Sequence, residues 1–123
     1  MSYVDGFLLP VLKKNVPAYR RMAQKAGKIW REHGALDYKE CVGDDLNPKG
    51  MGGFSPVRFG KTIALKPGET VVFSYIVYKS KAHRDRVNAK VMADPRMGDD
   101  GGKPMPFDPN RMAYGGFKVI VDE

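Results

Sequence analysis

Very little in this sequence points directly to a chemistry. It has one cysteine, Cys41, so no internal disulfide can form and the chain fits a reducing compartment. It has two histidines, His33 and His83, neither set in a Cys/His/acid cluster, which makes a poor metal site. No cofactor is expected, although a lone histidine is enough to ligate haem. No phosphate-cradling GxxxxGK[ST] or GxGxxG pattern lies between a strand and a helix, and the glycine pairs Gly52-Gly53, Gly101-Gly102 and Gly115-Gly116 do not supply one. The apolar N-terminal stretch MSYVDGFLLPVLKKN is too short to span a bilayer and carries Asp5 with no basic start, so it reads as a strand of a cytoplasmic protein with no membrane partner. There is no internal repeat and no break in composition, so residues 1–123 are expected to form one domain. A chain of this length can bury roughly 65% of its unfolded surface without metals or disulfides.

The chain is organised around residues 70–78, TVVFSYIVY, its longest run of β-branched and aromatic residues. Alternation puts Val71, Phe73, Tyr75 and Val77 on one side and Val72, Ser74, Ile76 and Tyr78 on the other. Neither side is clearly polar, so the strand belongs inside a sheet covered on both faces.

Residues 3–11 read as a first strand, with Tyr3, Asp5, Phe7, Leu9 and Val11 on one face and Val4, Gly6, Leu8 and Pro10 on the other. Asn15 is placed to cap a helix with Pro17 in its first turn, ending near His33 with Gly34 as the stop. Tyr19, Met22, Ala23, Ala26, Trp30 and His33 form its apolar stripe, bordered by Ile29 and opposed by a basic side. Residues 36–43 alternate in mixed polarity and suit an edge strand. The Gly- and Pro-rich connection 44–69 is long enough to cover a site; 61–65 is expected as a short extra strand, turned back through Lys66-Pro67-Gly68-Glu69. Ser80 caps a polar second helix over 81–93 with the narrow apolar line His83, Val87 and Val91. A second Gly/Pro-rich loop, 95–110, leads to a last strand over 111–121.

The order strand, helix, strand, strand, helix, strand is the ferredoxin-like βαββαβ arrangement. The fold class is therefore α+β: a four-stranded antiparallel sheet with two helices on one face and strands one and three in the centre. If the Gly6 side of strand one takes the helices, Tyr3, Phe7 and Leu9 lie on the bare face. An apolar bare face of this size is an interface, and a homodimer packing sheet on sheet would cover it.

Four segments, SYVDGFLLPV, KAGKIWREHGALDYKECVGDD, VVFSYIVYKSKAHRDRVNAKVMADPRM and MPFDPNRMAYGGFKVIVD, span most of the chain. In them the sequence resembles the YbaA-like bacterial proteins, a family of unknown function in the dimeric α/β-barrel superfamily. The resemblance implies the ferredoxin-like fold and the dimer, and it brings no reaction and no catalytic residues. The sequence departs from the family near residues 49–59, which are longer and richer in glycine. Fold alone transfers no chemistry.

Candidate catalytic residues are Asp5, His33 and His83. Alternation sends Asp5 with Tyr3 and Phe7 toward the space between sheets, where an unpaired carboxylate would be costly; Arg84, Arg111 and Lys118 are the available partners. His33 ends the first helix, where the dipole favours a protonated ring, and His83 opens the second on its sheet-facing line. Arg84 is the candidate for holding an anionic substrate, with Tyr38, Tyr75, Tyr114 and Glu40 adding polar tips. Cys41 alternates away from Glu40 and reads as a small buried residue. The net charge of +7 favours anionic partners. The basic run KSKAHRDRVNAK has no accompanying RRM-type aromatic string, so nucleic acid is not the expected partner. The reading is a dimer that binds a small, anionic molecule in a pocket between sheet and helices or between sheets, with a cofactor-independent enzyme as its extension. The alternatives are a non-catalytic regulatory dimer and RNA binding through the basic helix faces.

Overall fold

The β-branched and aromatic run becomes β3 (Glu69–Tyr78), a strand paired on both sides in the computed structural model, which describes residues 1–49, 52–98 and 102–123. β1 (Tyr3–Leu12) pairs antiparallel along its whole length, with Tyr3 opposite Tyr78 and Leu12 opposite Glu69. β2 (Asp37–Val42) and β4 (Ala113–Lys118) are the edges, giving the order β2-β3-β1-β4. Helices α1 (Val16–Glu32) and α3 (Lys81–Met92) pack on the sheet and on each other, completing the α+β ferredoxin-like fold. Among the described residues, no helix is long and apolar enough to cross a membrane.

Local signals explain most boundaries. Ser80 Oγ accepts from the His83 backbone N–H at 3.1 Å and opens α3. Gly34, at φ 117°, lets the chain leave α1, as only glycine does easily. Asn15 occupies the N-cap position of α1 but its side chain makes no cap; a 3-10 turn at Lys13–Asn15 has already brought its backbone into the helical region. Residues 61–65 do not form the expected strand. The one-turn helix α2 (Phe59–Thr62) occupies this stretch, followed by Ala64 at φ 51°. The turn after it is present, with Glu69 N–H bonded to Lys66 O at 3.1 Å and Gly68 at φ 81°. The last strand is shorter than expected and stops at Lys118. Val119 N–H still bonds to Ser2 O, and beyond it Ile120 is 82% exposed.

Register fixes which side of each strand faces the helices, because directly opposed residues share a face. The helix side carries Tyr3, Asp5, Phe7, Leu9 and Val11 from β1 and Val72, Ser74, Ile76 and Tyr78 from β3. This corrects the expectation for strand one: Tyr3 and Leu9 are buried under the helices, and the Gly6 side is the bare one. The larger apolar side chains took the covered face, and Asp5 met its cation there. Gly116 permits this, since a Cβ on it would lie 2.8 Å from the Tyr3 ring. The rear face presents Val4, Leu8, Phe73, Tyr75, Val77 and Phe117, with Phe73 44% and Phe117 61% exposed. α2 packs against β3, and rear-facing Val71 and Pro10 are buried, so α2 covers one corner of that face. Cys41, expected to be buried, is exposed on the rear side of edge strand β2.

Candidate ligand-binding site

Two neighbouring rows of side chains cross the helix-facing side of the sheet. One runs Glu40, Ser74, Phe7, Tyr114; the next runs Tyr38, Ile76, Asp5, Gly116. Ser74 is a small residue in a strand otherwise built of large ones, and it leaves room above it. There α1 and two stretches before β4, residues 96–98 and 103–112, stand off the sheet around a cavity of about 600 Å³. Phe7, Leu9, Ser74, Ile76, Tyr38 and Glu40 form its floor. Tyr19, Met22, Ala26 and Trp30 line the α1 wall, and Met97, Met105, Pro106, Phe107 and Met112 line the third side. The size and the apolar walls with a few polar groups are those of a small-molecule site. Exposed Arg21, Lys25, Arg96 and Lys103 stand at the mouth.

The polar floor is organised around Glu40. Tyr19 Oη donates to Glu40 Oε1 at 2.8 Å, and Tyr38 Oη donates to Oε2 at 2.7 Å. Burial, reinforced by the Glu40 charge, pushes both phenols well above their ordinary range, so they remain donors. Gly27 of α1 makes space for the Tyr38 ring, since a Cβ there would lie 2.8 Å from it. The same three side chains also line a groove of about 690 Å³ on the far side of α1, along the β2 edge, so they divide two spaces. The Trp30 indole N–H donates to Tyr78 Oη at 3.1 Å and is 3.4 Å from Asn88 Oδ1, tying α1 to β3 and α3.

The residues singled out from sequence are dispersed. Asp5, 1% exposed, does not face a space between sheets; it lies under α3, where Arg84 Nη1 donates to its Oδ1 at 2.9 Å. Burial raises the Asp5 carboxyl against the pull of Arg84. Arg84 also donates to Tyr114 Oη and Asp85 Oδ1 and lies 5.0 Å from the Tyr3 ring centre, so it is engaged within the protein. Phe7 stacks on Tyr114 at 4.9 Å. His33 Nε2 is 2.8 Å from Asp94 Oδ2, and Arg96 bridges Asp94 to Glu32. The Arg96 and His33 bonds hold the Asp94 carboxyl far below the usual range. His83 Nδ1 accepts from the Lys79 backbone N–H at 3.0 Å, and burial with Arg86, Lys79 and Lys90 nearby lowers its pKa, favouring the neutral ring. Tyr75 faces the rear. Of the named candidates only Tyr38 and its neighbour Glu40 reach the cavity.

Sequence reasoning placed Tyr19 and Trp30 on the α1 stripe as packing and left the 95–110 loop without a role. Asp99 to Gly101 of that loop, including the first glycine of the Gly101-Gly102 pair, lie outside the described residues. The usable signal was the small polar Ser74 in an apolar row, beside Tyr38 and Glu40 in alternation.

The molecule is a ferredoxin-like α+β protein with a cavity between its first helix and its sheet. It belongs to the family described as "Protein of unknown function (DUF1428)", whose model matches residues 2–109. It is 46% identical over 123 residues, covering all of both chains, to the uncharacterized protein YbaA of Escherichia coli K12, and equally to that of Shigella flexneri. Among solved structures it is similar to the de novo designed protein Foldit4 at 12% identity and a TM-score of 0.46, covering 97% of this chain and 99% of that one, a likeness too slight to carry function.

Proposed function

We propose that this chain is a cytoplasmic, single-domain binding protein for a small, partly apolar molecule held between α1, the sheet and residues 96–98 and 103–112, and that it works as a homodimer. The observation that carries the reading is the cavity of about 600 Å³ with apolar walls and a polar floor at Glu40. Exposed Arg21 and Lys103 at its mouth suit an anionic group on the outer end of the ligand. Asp5, His33 and His83 lie outside the cavity, which favours binding over proton-transfer chemistry by those groups. The exposed Phe73 and Phe117 on the rear face support the dimer.

A metabolite library screened by the fluorescence of Trp30, the sole tryptophan, and by thermal shift tests the ligand reading. Saturable hits that quench Trp30 are expected, and a well-folded protein that answers none overturns it. Sedimentation tests the dimer: a monomer at micromolar concentration removes it, and a dimer lost on Phe73→Lys supports it.

A further inference from the structure

Glu40 differs from the protein's other buried or half-buried carboxylates in how it is held. Asp5 meets Arg84, Asp94 meets His33 and Arg96, and Glu69 meets Arg111. Among the described residues none of the ion pairs includes Glu40, and its oxygens accept only the Tyr19 and Tyr38 hydroxyls. Two phenol donors satisfy part of a carboxylate that has about four acceptor positions, and they leave its charge uncompensated. A half-buried anion without a cation is costly unless something supplies one.

The surroundings suit a cation. Tyr38 and Trp30 face the same space with their rings 6.2 Å apart, and Phe107 meets Tyr19 edge-on at 5.7 Å. Aromatic faces around a carboxylate attract an ammonium group both by charge and through their π systems. An anionic or purely apolar inner end would find the carboxylate unfavourable.

Building on the binding reading above, we propose that the ligand carries a protonated amine on its inner end, held by Glu40 within this aromatic surround. The Tyr19 and Tyr38 hydroxyls orient the carboxylate and leave its remaining lone pairs for the ammonium N–H groups.

Three probes with one phenyl body, phenethylamine, 3-phenylpropanol and 3-phenylpropionate, test this on wild-type protein labelled at its methionine methyls. Met22, Met105 and Met112 line the cavity, while exposed Met1 and Met92 serve as controls. The amine is expected to shift the cavity methyls and to bind about tenfold or more tightly than the alcohol, as a charge-assisted hydrogen bond implies. The acid should bind most weakly. Glu40→Gln should abolish the preference for amine over alcohol while alcohol binding persists. The proposal is overturned if the alcohol or acid matches the amine, if the amine gives no saturable shift, or if folded Glu40→Gln keeps the preference. Should that variant fail to fold, the wild-type ranking of the probes still decides. Tight binding of the acid would sink the amine and leave the cavity reading standing; a barren metabolite screen would sink the cavity reading itself.

Discussion

Asp5 and Glu40 occupy adjacent rows on one face of one sheet, Asp5 under α3 and Glu40 beside α1, and they are satisfied in opposite ways. Asp5 has a guanidinium at 2.9 Å and is sealed; Glu40 has two phenols and borders open space on both sides of α1. A charge matched from within closes a layer, whereas a charge met only by neutral donors leaves a place for something from outside. The α3 half of the core is therefore read as structural and the α1 half as receptive.

The most damaging way to probe this contrast is Arg84→Met, which leaves the Asp5 carboxylate buried without its cation. A loss of about 3–5 kcal/mol is expected in urea unfolding. A loss as small as that of a surface substitution would mean that Asp5 is not sealed as described. Next comes Gly27→Ala. Helix propensity alone would stabilise α1 by about 1 kcal/mol. The new methyl would instead lie 2.8 Å from Tyr38, and such overpacking costs about 1–3 kcal/mol. The variant should be less stable than wild type, with altered Trp30 emission because the Tyr38 ring must move.

A smaller effect is expected where the cavity's third side is fastened. His33 and Arg96 hold Asp94, and Met97 follows directly into the cavity wall. Because the folded Asp94 pKa lies below its unfolded value, its contribution to stability is present above the ordinary carboxylate range. It is lost as the pH falls through that range toward the folded value. Asp94→Asn should flatten the acid limb of a stability–pH curve and loosen Met97 in methyl relaxation; an unchanged acid limb would assign that limb to other carboxylates. The mildest change in stability is expected for Glu40→Gln, within about 1 kcal/mol, since the amide oxygen still accepts a phenol proton. A cost comparable to that of Arg84→Met would erase the distinction between the two carboxylates.

The order of elements, the central place of β1 and β3, the Ser80 cap and the Gly34 stop were all legible, because each follows from local chemistry. The face of β1 was not. Period two assigns Tyr3, Asp5, Phe7 and Leu9 to one side but does not say which side the helices take; on the side they take, Tyr3 and Leu9 are buried and Asp5 meets Arg84 of α3, some eighty residues away. The same limit left the pocket's place open between the helix side and the space between sheets, and hid which residues line it. The α1 stripe showed Met22, Ala26 and Trp30 as apolar, and apolar residues line an empty space as readily as they fill a core. Residues 61–65 misled because the Lys66-Pro67-Gly68-Glu69 turn after KTIAL suits a hairpin, while the chain at Ala64 turns through a positive φ.

Edge strand β2 keeps one rail of backbone amides and carbonyls without a neighbour in the sheet. Asp37 and Lys39, paired with each other on its rear side, act as a sentry on that rail. Without those charges the rail would be open to pairing with a strand of another molecule.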